Sequence, residues 1–321
     1  MPWIVAVALA AGRAEATPAA PAAPSTNTSE FWSEVIEPHA AEINRLVARA
    51  RTLLERRGSD DEPATRLAVI GDAYGMLRYA RRLSPENTSV LGLLGAAADE
   101  LGRTRQALDA LEACVRIQGL ERAGADVTGR LGAIYLRLGR FDDAIRLLRY
   151  AQGPVAVPDN AVAAVQLATA LAARGKMADA IDVLGNALPP RMSYPSDPLT
   201  LVGFALAVQY DRDEQPAAAF EALDKLRALL QQEVGAAVQR AISLVRFAPA
   251  EDEYYYRALL YEVLGHYAEA RTEWLLYASV SDAAWRPRAL AHAAALDAER
   301  RIVRPPPAAP SPPPRTLVPV P

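Results

Sequence analysis

The residues of this chain that could perform chemistry are few and far apart. The three histidines, His39, His266 and His292, have no cysteine or paired carboxylates at metal-ligand spacing, so the sequence does not predict a metal site. The single cysteine, Cys114, cannot be assembled with a histidine and an asparagine into a thiol nucleophile. The sequence also has no phosphate-binding glycine loop and no serine nucleophile motif. It therefore predicts a protein without a cofactor, and an enzyme is the minor alternative.

The chain contains an internal repeat, because apolar and glycine positions recur at a constant offset of 37 residues. This repeat determines which elements position the remaining side chains. The first copy contains Leu94, Gly95, Leu101, Gly102, Ala107 and Leu111, and the second contains Leu131, Gly132, Leu138, Gly139, Ala144 and Leu148. Apolar residues at helical spacing form two stripes in each copy, and a glycine ends the first helix. Each copy is therefore predicted to be a helical hairpin. A single hairpin cannot bury both stripes, so the copies must stack.

Small residues mark the places where two helix axes approach closely. Gly95 and Gly132 are predicted to pack inside their hairpins. Cys114 occupies the slot that Ala151 and Ala187 fill in later copies, so we expect it to be buried rather than reactive.

This pattern resembles the tetratricopeptide repeat, which has a period of about 34 residues. Clear copies span 88–121, 125–158 and 161–194, a weaker copy spans 200–233, and the last copy spans 251–284. The resemblance implies an all-α fold, a right-handed superhelical solenoid of tetratricopeptide-type helical hairpins. It is specific for the fold and says little about function.

The rest of the chain is divided around these copies. Ala219 and Ala270, which are equivalent positions, lie 51 residues apart. This excess over one period predicts an extra helix, or a long extension of the helix before it, with Val234, Val238, Ile242 and Val245 at helical spacing. The predicted segments are a signal peptide at 1–16, a flexible lead at 17–30, an N-terminal capping hairpin at 31–87, three clear repeats at 88–194, a degenerate repeat with the extra helix at 195–250, the last repeat with a capping helix at 251–302, and a Pro-rich disordered tail at 303–321.

An apolar run near the N-terminus bears on localisation. The run from Trp3 to Ala11 is shorter than the roughly 20 residues needed to span a bilayer, but it has the length of a signal-peptide core. Ala14-Glu15-Ala16 supplies small residues at cleavage-site spacing. We therefore expect an exported, periplasmic or cell-envelope protein without an integral membrane span, and the excess of Ala and Arg favours a bacterial source. The basic start of such a signal is missing, so a cytoplasmic protein with an uncleaved tail is the alternative.

Solenoids of stacked hairpins bind through the concave surface made by the first helix of each unit. The predicted partner-binding residues on this surface are Asp99, Arg137, Phe204, Val208, Asp211, Tyr255, Leu259 and Glu262. Phe204 and Tyr255 are predicted to be apolar anchors, although a register shift of one residue would bury Tyr255.

The net charge of −3 argues against a nucleic-acid partner. The predicted function is that of a non-catalytic scaffold for a bacterial periplasmic or cell-envelope assembly, with a protein or peptide held in the concave groove. The alternative is a cytoplasmic regulatory adaptor.

Overall fold

The computed structural model describes residues 39–55, 62–153, 160–189 and 196–303. Within these ranges the regular elements are fourteen α-helices and one 3-10 turn at Gln231–Glu233, with no strand. The helices are α1 (Ala40–Glu55), α2 (Pro63–Leu83), α3 (Thr88–Glu100), α4 (Thr104–Gln118), α5 (Gly124–Arg137), α6 (Phe141–Gln152), α7 (Ala161–Ala173), α8 (Met177–Ala187), α9 (Asp197–Arg212), α10 (Pro216–Leu230), α11 (Val234–Ile242), α12 (Asp252–Val263), α13 (Tyr267–Ser279) and α14 (Arg286–Val303). The predicted signal peptide, flexible lead and nearly all of the Pro-rich tail lie outside the described residues.

The helices pack as hairpins that stack on one another. The pairs α1–α2, α3–α4, α5–α6, α7–α8, α9–α10 and α12–α13 each form an extensive contact, and neighbouring pairs meet through α2–α3, α4–α5, α6–α7 and α8–α9. This arrangement confirms the predicted all-α solenoid of helical hairpins. No helix in the described ranges combines the length and the apolar character needed to cross a bilayer.

A left-handed residue ends the first helix of each repeat. Gly102, Gly139, Gly175 and Gly265 have φ angles between 70° and 77° at this position. The fourth repeat places Glu214 there, with a φ of 55°. The backbone hydrogen bonds of the two kinds of turn are the same. The residue after the turn, Arg140 in the second repeat and Gln215 in the fourth, donates its amide to the carbonyl five residues earlier. The hydrogen-bonding pattern of the turn is therefore kept without glycine, at the cost of a strained backbone.

Small residues allow the two helices of a hairpin to approach closely. A Cβ built on Gly132 would lie 2.7 Å from Cγ of Leu148, and one built on Gly95 would overlap Leu111. The packing role predicted for both glycines is therefore confirmed. Cys114 is buried as predicted, and burial raises the pKa of its thiol.

The extra helix is α11, which packs against α9. It ends at Ile242, before the apolar residue Val245 that the helical spacing also included. The chain then runs from residue 243 to residue 251 without regular structure and enters α12. We call residues 243–251 the strap, because this segment runs across the concave side of the solenoid.

Candidate functional site

The first helices of the three clear repeats share an open cleft of about 620 Å³, which we call the concave cleft. Residues one helical turn apart line it, so one face of α5 contributes Gly129, Ala133 and Arg137, and one face of α7 contributes Val162 and Gln166. Besides Arg137 and Gln166, the polar side chains in its lining are Asp99, Glu100, Asp126, Arg130, Asn160 and Arg246. The cleft therefore spans three successive repeats and mixes both signs of charge.

Ion pairs between α3 and α5 fix the acidic wall of the concave cleft. Arg137 Nη2 donates to the carboxylate of Asp99, and Arg130 Nη1 lies 3.4 Å from Glu100 Oε1. Arg130 also lies 3.2 Å from Asp126, one turn earlier on its own helix. These pairs hold the arginine side chains in place, so the wall is already ordered before anything binds.

The bottom of the concave cleft is built from small side chains and one unpaired amide. Gly129, Ala133 and Ala163 leave room for another backbone to come close. Gln166 is half-buried and makes no hydrogen bond within the described part of the chain, so its amide can both donate and accept. This combination suits an extended peptide, whose backbone amides and carbonyls need hydrogen-bond partners.

The strap closes one side of the concave cleft. Arg246 Nη1 donates to the backbone carbonyl of Asp99 at 3.4 Å and lies 3.9 Å from Asp99 Oδ1, although the two residues are 147 positions apart. Further along, the ring of Phe247 packs 4.8 Å from the ring of Tyr256, and Ala248 is buried. The strap thus runs across the concave side and contacts the first clear repeat.

A second cleft, of about 540 Å³, lies on the other side of the strap. Its lining includes Arg137, Thr169, Arg212, Phe247, Asp252 and Trp285. Arg212 donates to Asp252 at 2.7 Å and stacks 4.6 Å from the ring centre of Tyr255, whereas its buried Nε has no hydrogen-bond partner among the described residues. The strap therefore divides the concave side into two clefts, a division that the repeat period could not predict.

The prediction that Phe204 and Tyr255 are exposed anchors is wrong. Their exposed fractions are 1% and 0%, and Val208 and Leu259 are buried in the same core. Phe204 packs 5.9 Å from Tyr256, and Tyr255 makes an edge contact with Trp274 at 4.7 Å. Two causes bury these residues. Tyr255 faces Trp274 and Tyr277 of α13, the second helix of its own hairpin, as the register shift of one residue would place it. Phe204 meets α12 through Tyr256, which Phe247 of the strap covers.

The polar residues Asp211 and Glu262 are also committed inside the protein, in a cluster that holds α14 against α9 and α12. Asp211 accepts hydrogen bonds from Tyr255 at 2.6 Å, from Arg288 at 2.6 Å and from His292 at 3.1 Å. Glu262 lies 3.0 Å from the other ring nitrogen of His292. We call these five residues the α14 clasp. Asp211, with 5% of its side chain exposed, is therefore not available to a partner, which corrects its prediction as a binding residue. Glu262 is paired inside the protein, although 29% of its side chain is exposed.

The charges of the α14 clasp reinforce one another. Burial, the largest single cause, would raise the pKa of Asp211 and lower that of His292. It is outweighed only by the partners together, which are His292, Arg288 and Tyr255 for Asp211, and Asp211 and Glu262 for His292. The pKa of Asp211 is held well below its usual range, and that of His292 is raised to about 9. His292 is therefore charged at neutral pH, and both of its ring nitrogens donate.

The α14 clasp was missed by sequence reasoning, which treated His292 as isolated. Its carboxylate partners lie 30 and 81 residues away in the chain, so no local spacing could indicate them. Within the described ranges, no group of three or more His, Cys, Asp or Glu side chains is placed to hold a metal ion.

Of the eight predicted binding residues, Asp99 and Arg137 line the concave cleft, and the other six lie in the core or in the α14 clasp. The clasp and the core make α9, α12 and α14 one packed block. The predicted binding residues that line the concave cleft therefore lie on the earlier repeats, in α3 and α5.

Comparison with known proteins gives only distant structural similarity. No family model matches the chain, and no curated protein matches it. A solved structure described as "MamA MSR-1 C2" is 20% identical with a TM-score of 0.45, covering 59% of this chain and 95% of the other. A second structure, described as "Podosopora anserina putative kinesin light chain nearly identical TPR-like repeats", is 19% identical with a TM-score of 0.48, covering 60% of this chain and 97% of the other. These similarities are too weak to indicate what the protein binds.

Proposed function

We propose that this protein is a non-catalytic scaffold that binds an extended segment of a protein partner in the concave cleft. The observation that carries the proposal is the cleft itself, which spans three repeats and has a volume of about 620 Å³. Rigid presentation of this surface, rather than bond-making chemistry, is the mechanism.

The chemistry of the cleft supports a peptide as its occupant. Small residues on α5 and α7 let a backbone come near, and the unpaired amide of Gln166 can satisfy one of its polar groups. The pairing of Asp99 with Arg137 fixes the wall in advance, so little ordering cost remains for binding. A nucleic acid is disfavoured because the arginines of this wall already face carboxylates.

A steric block in the concave cleft tests the proposal. Ala163→Trp places a large ring in the cleft, whereas Asn186→Trp places the same ring on the exposed face of α8. Partner retention in pull-downs from native cells should be lost in the first variant and kept in the second, with circular dichroism reporting that both remain folded. Equal retention by both variants would contradict the proposal.

We propose further that the scaffold works in a bacterial cell envelope after export. The support is the apolar run from Trp3 to Ala11, followed by the small residues Ala14 and Ala16. Mass spectrometry of the N-terminus of protein isolated from its native cells should find these residues removed. An intact Met1 would instead favour the cytoplasmic adaptor.

A further inference from the structure

We infer that the strap is a built-in ligand of the concave cleft, and that the partner displaces the Arg246 side chain by presenting a basic side chain of its own to Asp99. This inference rests on the proposed function, since it names the chemistry of the partner at the same site. It makes residues 243–246 an internal competitor for that partner.

The first argument is the position of Asp99. Its carboxylate is nearly buried, with 11% of the side chain exposed, and it receives Arg137 on one side. Arg246 approaches the same carboxylate and also the backbone carbonyl of Asp99. A carboxylate has enough acceptor positions for two guanidinium groups. The site thus recognises a second cation, which the chain itself supplies.

The second argument is that the Arg246 side chain is held less firmly than the rest of the strap. Its base is anchored, because Phe247 packs on Tyr256 and Ala248 is buried. The backbone of the tip is held as well, because Leu244 and Val245 donate to carbonyls of α11 and Val245 packs on the core. The side chain of Arg246 is held loosely, because it is 56% exposed and its two contacts with Asp99 are 3.4 and 3.9 Å long. Exposed ion pairs of this kind are weak. The side chain of Arg246 can therefore leave Asp99 while the rest of the strap stays in place.

The third argument is the pair of side chains that the strap contributes to the lining of the cleft. Leu244 and Arg246 both line the concave cleft, and the side chain of Leu244 is among the exposed large apolar groups. A partner segment with an aliphatic residue followed two positions later by Arg or Lys would reproduce both contacts. An acidic segment at the same place would meet Asp99 and Glu100 and be repelled.

A peptide supplied in trans tests the inference without knowledge of the natural partner. The probe is a fluorescein-labelled peptide with the sequence of residues 241–251, and the readout is fluorescence anisotropy with the full chain. The Arg246→Ala protein should bind it about 2- to 5-fold more tightly than the unaltered protein, because the internal competitor has lost its ion pair. A peptide carrying Arg246→Glu, which alters only the probe, should bind at least about tenfold more weakly.

Two results would overturn the inference. One is equal binding of the basic and the charge-reversed peptide, since Asp99 would then not select a cation. The other is absence of binding of either peptide to the Arg246→Ala protein. If the peptide fails while Ala163→Trp still abolishes partner retention, the proposed function stands and the inference about the strap falls. If both fail, the concave cleft is not the binding surface.

Discussion

The replacement Gly132→Ala tests whether close helix approach, rather than helix propensity, governs the repeats. Gly132 lies inside α5, where alanine would by itself be favoured by about 1 kcal/mol. The new Cβ would, however, lie 2.7 Å from Cγ and 3.0 Å from Cδ2 of Leu148. These atoms belong to a fully buried side chain, so neither can move away freely.

The expected size of the effect follows from these two opposing terms. Forcing an extra carbon into a well-packed core costs about 1–3 kcal/mol, and a contact at the branch point of Leu148 belongs in the upper half of that range. After the propensity gain is subtracted, Gly132→Ala should lower the free energy of unfolding by about 1–2 kcal/mol.

Gly75→Ala is the matched control, because this glycine is exposed inside α2 and a Cβ there meets nothing within 4 Å. It should raise the free energy of unfolding by about 0.5–1 kcal/mol. Urea unfolding followed by circular dichroism measures both variants. A Gly132→Ala protein as stable as the unaltered one, or a Gly75→Ala protein destabilised equally, would refute the packing argument.

Three further predictions concern the turn, the α14 clasp and the buried ion pair. Glu214→Gly should raise the free energy of unfolding by about 1 kcal/mol, because glycine adopts the left-handed turn without strain; no gain in urea unfolding would argue against strain at this turn. Since the pKa of His292 is raised from 6.5 to about 9, its contribution of about 3 kcal/mol is complete below pH 6.5 and is lost as the pH rises through 9. The melting temperature should therefore fall over this range more steeply in the unaltered protein than in His292→Gln, and parallel curves would exclude the clasp as the cause. Asp252→Ala leaves the buried guanidinium of Arg212 without its carboxylate and should lower the free energy of unfolding by about 3–5 kcal/mol. Urea unfolding measures this change, and a loss below about 1 kcal/mol would show that the pair is dispensable.

The repeat architecture could be predicted from the sequence because its causes are local. Apolar spacing within each copy determines which helix faces are buried, and the glycines at 102, 139, 175 and 265 end the first helices through their own backbone freedom. The burial of Cys114 follows from its place in the same period.

The candidate site could be predicted only where the period continues. Asp99 and Arg137 lie on the first-helix face, as the helical register indicates, and they line the concave cleft. Tyr255 was misplaced by a register shift of one residue, since its ring faces Trp274 and Tyr277 on the second helix of its own hairpin. His292 meets Asp211 across 81 residues and Arg246 meets Asp99 across 147, and one sequence alone contains no signal for such distant pairs.

Site-specific photocrosslinking tests most directly whether the concave cleft binds a partner. A photoreactive amino acid replaces Gln166 in the cleft in one protein and Asn186 on the exposed face of α8 in another, and adducts formed in native cells are identified by mass spectrometry. We predict a discrete adduct from position 166 that is absent from position 186, with the crosslinked partner peptide carrying Arg or Lys. The same adduct from both positions, or an adduct from position 186 alone, would contradict the assignment of the concave cleft as the binding surface.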